Sequence, residues 1–128
     1  MKIRISKNGI RYRIQQKELL TLHEDGVVSE RLCFGSMHTQ TFTYAIEASA
    51  HIKAIDVMYA DCSIKILVPA HVVKEMVETD RIGIRGEKQF DDQTPLSLLV
   101  EKDFKCLSHR EEDADAFPHP DEHNGGSC

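Results

Sequence analysis

Residues 2–14 read KIRISKNGIRYRI, a stretch in which apolar and basic side chains alternate on both sides of Asn8-Gly9. Alternation is typical of a half-buried β-strand, because successive side chains point to opposite faces of a sheet. Asn-Gly favours a type I′ turn, since both central residues of that turn need a positive φ. We therefore predict a hairpin of residues 2–6 with residues 10–14. Ile3 would pair with Ile14, so that one face is wholly apolar and the other carries arginine.

The apolar pattern of this hairpin recurs 54 residues later without a gap, although few residues are identical. We interpret residues of about 1–50 and 55–104 as two copies of one unit, each reading strand, strand, helix, strand, strand. The competing interpretation is a chance alignment of alternating strands. The matched apolar positions include Ile10 with Ile64, Tyr12 with Ile66, Ile14 with Val68, Leu19 with Val73 and Tyr44 with Leu98.

Local signals place the other elements of each unit. The first helix is predicted over residues 16–25, with Gly26 in position to end it. The second begins at Pro69, which suits a first helical turn, and ends before Thr79. The remaining strands are predicted at about residues 27–34, 41–48, 54–60, 63–68, 82–87 and 96–101.

Eight strands and two helices in this order predict an α+β fold built from a duplicated strand-strand-helix-strand-strand unit. The strands can form one antiparallel, eight-stranded, barrel-like sheet with the two helices on its outside. They can equally form two small layered sheets side by side.

Composition restricts the class of protein. The chain has 128 residues, of which 41% are hydrophobic, and a formal net charge of -5, which is typical of one soluble domain. No apolar run approaches the roughly 18 residues that span a bilayer, and residues 1–5 lack the apolar core of a signal peptide. We therefore expect a cytoplasmic protein without a membrane partner. Its single domain would occupy residues 1–104, followed by an acidic tail at 105–128 that contains cysteine and histidine.

Basic side chains are concentrated at the start of the chain, where residues 1–17 hold six of them and no acidic one. Arginine binds phosphate and carboxylate groups in a bidentate manner, so the polar face of the sheet predicts a small phosphate-type anionic ligand. The competing interpretation is an ordinary solvated face. Nucleic acid is a poor candidate, because the chain is acidic overall and only 6% aromatic. The predicted anion-binding residues are Arg4, Arg11, Arg13, Arg31, Lys65 and Arg85.

The element order resembles that of the triphosphate-tunnel (CYTH-like) enzymes, in which a doubled unit forms an eight-stranded barrel. That family carries an alternating Glu-x-Glu-x-Lys on an early strand, whose carboxylates hold divalent metal beside the substrate's phosphates. Here the strand before the first helix reads IRYRI over residues 10–14, and Glu-x-Glu occurs nowhere in the chain. The resemblance therefore implies a barrel without the family's hydrolase activity.

A non-enzymatic binding protein is the function that these residues favour, and no catalytic residue is assigned. The chain has no Gly-x-Ser-x-Gly elbow, Walker loop or His-Glu-x-x-His motif. One alternative is a divergent phosphohydrolase in which Glu47 and Glu101, equivalent under the repeat, hold the metal. Another is a protein-interaction module that docks on an unknown protein partner through a free sheet edge or the acidic tail.

Several segments together resemble a family of small uncharacterised bacterial proteins, for which no activity is established. This resemblance implies a bacterial origin and a defined tail. The segments are residues 1–5, 41–45, 101–104 with Cys106-Leu107, and 113–118.

Cysteine and histidine are concentrated in the tail. Thiolate and imidazole are the preferred ligands of tetrahedral zinc, and spacings of two or three residues let paired ligands reach one ion. The competing interpretations are an acidic, disordered tail and a transient disulfide between the two tail cysteines. The predicted zinc ligands are Cys106, His109, His119, His123 and Cys128.

Two further cysteines, Cys33 and Cys62, lie in the strand regions. A free cysteine in such a position usually behaves as a small apolar residue. Both are therefore expected to fill space in the core.

Overall fold

The computed structural model describes residues 1–105 and Phe117. Eight strands and two helices follow one another in the predicted order, which confirms the α+β class. The elements are β1 (Lys2–Ser6), β2 (Gly9–Ile14), α1 (Gln16–Asp25), β3 (Val27–Cys33), β4 (Thr41–Ser49), β5 (Asp56–Ala60), β6 (Ser63–Pro69), α2 (Ala70–Glu78), β7 (Gly83–Lys88) and β8 (Leu96–Lys102). A short 3₁₀ turn, His38–Gln40, precedes β4 and has no counterpart among the predicted elements.

The strands form two four-stranded sheets, the first with the order β1-β2-β8-β7 and the second with the order β3-β4-β6-β5. Each sheet joins two antiparallel hairpins through a central parallel pair, β2 with β8 and β4 with β6. Of the two predicted arrangements, two small sheets are observed, whereas the prediction of one antiparallel, barrel-like sheet is wrong; neither sheet of the described chain closes. Each helix carries the chain from one sheet to the other, so every hairpin pairs with a hairpin from the opposite half of the chain.

The β1–β2 hairpin differs from the predicted register by two residues. Ile3 lies opposite Tyr12 rather than Ile14, and the hairpin closes where Ser6 lies opposite Gly9. A shift by two positions returns each side chain to the same face of the sheet. The separation into an apolar and a basic face is therefore as predicted, although the pairs are not.

Contacts with the end of the β7–β8 loop explain this register. The turn residues are Lys7, whose φ is 52°, and Asn8. The side-chain amide of Asn8 donates hydrogen bonds to the carbonyl oxygens of Thr94 and Pro95 at 2.9 and 3.0 Å. The N–H of Ser97 donates to the Asn8 carbonyl oxygen at 2.9 Å. Through these bonds Asn8 is connected to β8 and to the loop that precedes it. Because the bonds depend on the tertiary fold, local turn preference does not predict the register.

The helices begin and end where local signals predict. Gly26 ends α1 with a φ of 83°, in the left-handed region, and its N–H donates to the carbonyl oxygen of Leu22 at 3.0 Å. The second helix follows Pro69 directly and buries one apolar face against the sheets. No helix among the described residues is long and apolar enough to cross a membrane.

One apolar core fills the space between the inner faces of the two sheets and the helices. Tyr12 of the first sheet is fully buried, and its hydroxyl donates to the carbonyl oxygen of Ile64 in the second sheet at 3.2 Å. Burial raises the pKa of Tyr12, so the hydroxyl stays neutral and the cross-sheet hydrogen bond persists. The other fully buried large side chains include Ile14, Leu22, Ile46, Ile66, Met76 and Leu98.

Side chains, rather than backbone pairing, connect the neighbouring edges of the two sheets. The Lys88 ammonium of β7 donates to the Asp56 carboxylate at 2.7 Å and to the Val57 carbonyl oxygen at 3.1 Å, both in β5. The hydrogen bond from Lys88 holds the pKa of Asp56 below its usual value. Lysine on an edge strand also opposes pairing with another chain.

At the other edges, the α-amine of Met1 contacts the carboxylates of Glu18 in α1 and Glu30 in β3. The hydroxyl of Tyr44 donates to Glu30 at 2.5 Å, and this bond lowers the pKa of Glu30 below its usual value. The same bond raises the pKa of Tyr44 to about 12. These contacts join β1, α1 and the second sheet through polar side chains.

Candidate anion-binding cleft

The β1–β2 hairpin places cationic side chains directly opposite one another on the outer face of the first sheet. Arg4 pairs with Arg11, and Lys2 pairs with Arg13. Cross-strand partners have Cβ atoms about 5 Å apart, and like charges in that arrangement destabilise a sheet. Carboxylates offset part of this repulsion, since Lys2 pairs with Asp103 and both Arg11 and Arg13 donate to Glu101.

A cleft of about 430 Å³ lies beside the first of these pairs, at the hairpin end of the first sheet. Its described lining contains three cationic side chains, two hydroxyl groups and no carboxylate. The parallel register puts Gly9 next to Ser97, and the missing side chain at Gly9 leaves this part of the cleft open. The lining residues are Arg4, Ser6, Lys7, Gly9, Ile10, Arg11, Ser97 and Leu99.

Glu101 of β8 flanks the cleft and orients two of the arginines. The Nε of Arg11 donates to Glu101 Oε1 at 2.6 Å, and the Nε of Arg13 donates to the same oxygen at 3.2 Å. All three side chains are largely shielded from solvent. On the other side Gly83 lies opposite Glu101, where an added Cβ would come within 2.1 Å of the Val100 carbonyl oxygen. Glycine is therefore required at this position.

The six predicted anion-binding residues do not share one surface. Arg4, Arg11 and Arg13 lie on the outer face of the first sheet, and Arg85 of β7 lies on the same face opposite Leu99. The two remaining residues belong to the second sheet, where Arg31 is in β3 and Lys65 is in β6. The sequence pattern correctly identified the outward-facing positions, but it did not indicate that they are divided between two sheets.

Three lining residues with polar side chains are not among the six predicted anion-binding residues. Lys7 is a turn residue, and the local signal for it was its place among the six basic residues of positions 1–17. Ser6 lies at the end of β1, and Ser97 reaches the cleft because β8 pairs with β2. That last contact joins residues far apart in the chain, so no local pattern reports it.

The β5–β6 hairpin of the second sheet offers an internal comparison. There Met58 pairs with Lys65, and the turn residues are Asp61 and Cys62. This hairpin has a turn of the same length and the same position beside a parallel strand, yet it carries one cation, Lys65, and two carboxylates, Asp56 and Asp61. The cationic lining of the first sheet is therefore not a requirement of the hairpin geometry.

The carboxylates of the alternative phosphohydrolase site are not brought together. Glu101 lies in the first sheet beside Arg11 and Arg13, whereas Glu47 lies in the second sheet, 2.9 Å from the Lys65 ammonium. Across residues 1–105 and Phe117, no group of three histidine, cysteine, aspartate or glutamate residues could hold a metal ion. All five predicted zinc ligands, Cys106, His109, His119, His123 and Cys128, lie outside the described residues.

Cys33 and Cys62 are exposed free thiols, so their predicted role as core fillers is wrong. Cys33 is the last residue of β3, and Cys62 is in the β5–β6 turn. Both lie where the strands leave the core, which explains the exposure.

The fold and the cleft define an α+β protein of two mixed sheets whose first sheet presents a basic, hydroxyl-lined depression. The chain belongs to the family of unknown function DUF7009, whose model matches residues 1–121. The match extends past residue 104, where the sequence predicts the domain to end. No curated protein and no solved structure matches the chain.

Proposed function

We propose that this protein binds a small phosphate-type anion in the cleft beside Arg4, Lys7 and Arg11, and that it does so without catalysing a reaction. The observation that carries the proposal is the direct pairing of Arg4 with Arg11 at the wall of a concave site. An anion between these side chains would make an attractive interaction with each guanidinium group.

The lining has the chemistry that a phosphate group needs. Guanidinium groups donate two parallel hydrogen bonds to phosphate oxygens, and lysine contributes a compact charge with three donors. The hydroxyls of Ser6 and Ser97 add neutral donors. The described lining holds no imidazole, thiol or carboxylate that could act as a general base, which favours binding over turnover.

We further infer that the two halves of the chain are copies of one unit, and that the anion site is particular to one of them. The two parallel strand pairs support this inference. Gly9 lies opposite Ser97 in the first sheet, and Ser63 lies opposite Thr43 in the second. Gly9 and Ser63 are separated by the same offset as the apolar pattern, and so are Thr43 and Ser97. Under that offset the cations Arg4 and Lys7 correspond to Met58 and Asp61. A change confined to one copy is expected of an acquired site.

We further propose that the protein is cytoplasmic. Cys33 and Cys62 are exposed and unpaired, and exposed free thiols persist in a reducing compartment.

Thermal unfolding in the presence of tripolyphosphate tests the anion site. A ligand that binds the folded state alone stabilises it by about 2.7 kcal/mol at roughly 100 times its Kd, which is a shift of several degrees in Tm. We expect the wild type to show such a shift, and the double variant Arg4→Gln, Lys7→Gln to lose most of it.

The control is the double variant Arg31→Gln, Lys65→Gln, which replaces one arginine and one lysine of the second sheet. It removes the same charge and should keep the full shift in Tm. An equal response of the two double variants would show that tripolyphosphate acts through overall charge, and the proposal would fail. The absence of any shift in the wild type would also contradict it.

A further inference from the structure

A second pocket, of about 390 Å³, lies at the opposite end of β2 from the anion-binding cleft. It is formed by the first turns of α1, the last turns of α2 and the residues that follow β8. Its volume falls at the lower end of the range of small-molecule sites. The lining residues are Ile14, Gln15, Gln16, Leu19, Leu20, Met76, Val77, Lys102, Asp103 and Phe104.

The walls of this pocket are mainly apolar. Ile14, Leu19 and Met76 are buried and form part of the core. Leu20 and Phe104, by contrast, are 47% and 61% exposed at the rim. Large apolar side chains that are exposed to water around a concave surface indicate a binding site, because covering them with an apolar group lowers the free energy.

The polar groups of the pocket favour an anionic head group. The Lys102 ammonium donates to the Thr79 carbonyl oxygen at 3.1 Å, and an ammonium has two further protons to donate. The carboxylate of Asp103 is mostly buried and is paired with the Lys2 ammonium at 3.0 Å. Lys102 is therefore the charge that this lining leaves uncompensated, and the side-chain amides of Gln15 and Gln16 supply neutral donors nearby.

We propose that this pocket binds a small amphipathic carboxylate, with its aliphatic chain against Leu20, Val77 and Phe104 and its head group at Lys102. The site is separate from the anion-binding cleft, which lies at the other end of β2 and is lined by three cationic side chains. The ligand class is a monocarboxylate with a medium-length alkyl chain.

Titration of the full-length protein with octanoate, followed by ¹H–¹⁵N NMR, tests this proposal. Octylammonium and octanol serve as probes with the same chain and a cationic or neutral head. We expect octanoate to shift the amide signals of Leu20, Val77 and Lys102 and to leave those of Gly9 and Ser97 unchanged. Octylammonium and octanol should bind at least about fivefold more weakly, since they lack a charge-assisted hydrogen bond to the ammonium.

Two variants separate binding from folding. Lys102→Gln should weaken octanoate by about tenfold, whereas Lys74→Gln, an exposed lysine of α2 outside the pocket, should have no effect. Leu20→Gln alters an already exposed side chain and should also weaken binding, while its unfolding curve verifies that the fold is kept. Equal affinity for the three amphiphiles, no effect of either pocket variant, or no binding of octanoate would each overturn the proposal.

Discussion

Arg4 of β1 and Arg11 of β2 lie directly opposite each other on the outer face of the first sheet, although both side chains are cationic. The Nε of Arg11 donates to Glu101 Oε1 at 2.6 Å, which fixes the position of that guanidinium group. The pair therefore sets two guanidinium groups side by side at the wall of the cleft, and one of them is held in position by Glu101. Adjacent, oriented guanidinium groups are typical of sites that bind phosphate.

Replacing Glu101 should separate the structural role of this carboxylate from its effect on the cleft. Glu101→Gln removes the negative charge that pairs with Arg11 and Arg13, so we expect the free energy of unfolding to fall by about 1 kcal/mol. The glutamine amide oxygen can still accept from Arg11 Nε and keep this guanidinium group oriented, while the negative charge beside the cleft is lost, so tripolyphosphate should bind several times more tightly. Chemical denaturation and calorimetric titration measure the two effects. Glu47→Gln, the matched variant of the second sheet, should leave affinity unchanged, and a weaker affinity in Glu101→Gln would contradict the assignment.

Tyr44→Phe should weaken the polar contact that joins the second sheet to the start of the chain. The pKa of Glu30 is lowered by its hydrogen bond from Tyr44, so this bond stabilises the fold at pH values above the ordinary glutamate pKa and is lost as pH falls through the lowered value. The raised pKa of Tyr44, about 12, means that the contribution of its neutral hydroxyl is complete below pH 10 and is lost as pH rises through 12.

We therefore expect Tyr44→Phe to lower the free energy of unfolding by about 1 kcal/mol at pH 7. The difference from wild type should be smaller at pH 3. Urea unfolding at the two pH values measures this difference. Tyr59→Phe, which alters a tyrosine that is 74% exposed, is the control and should be neutral. A cost for Tyr44→Phe that is the same at both pH values would show that packing, rather than the hydrogen bond, is responsible.

Cys62→Gly should stabilise the protein. Asp61 and Cys62 form the β5–β6 turn with φ values of 51° and 56°, in the left-handed region where a side chain costs about 1 kcal/mol or more and glycine does not. We expect the free energy of unfolding to rise by about 1 kcal/mol, measured by urea denaturation. Cys33→Gly places the same substitution at the end of a strand and should instead lower it by about 0.5 kcal/mol. Changes of the same sign in both variants would contradict the turn argument.

The zinc site predicted for the tail has a direct test in the mass of the purified protein. If Cys106, His109, His119, His123 and Cys128 supply the ligands, the native mass of the untagged chain should exceed its denatured mass by one zinc ion. Cys106→Ser should lose this excess, and Cys33→Ser should retain it. A native mass equal to that of the bare chain would show that the tail holds no tightly bound zinc.

Element positions could be predicted because their signals are local. The alternation of residues 2–14 sets two strands, and Gly26 ends a helix through its own backbone conformation, so both follow from neighbouring residues alone. The pairing of strands could not be predicted in this way. Periodicity states which face of a strand is buried, but it carries no information on whether β2 lies next to β8 or next to β3.

The same distinction applies to the cleft. Alternation places Arg4, Arg11 and Arg13 on one face, so the sequence by itself determined that the first hairpin has a basic side. Only the tertiary structure decided that Ser97 joins them and that Arg31 and Lys65 lie on another sheet. The physical reason is that the face of the sheet on which a side chain lies depends on the alternation within its own strand. The composition of a binding site depends instead on which strands share a sheet. That choice is made by the helices, which carry the chain from one sheet to the other and bury their apolar faces in the common core.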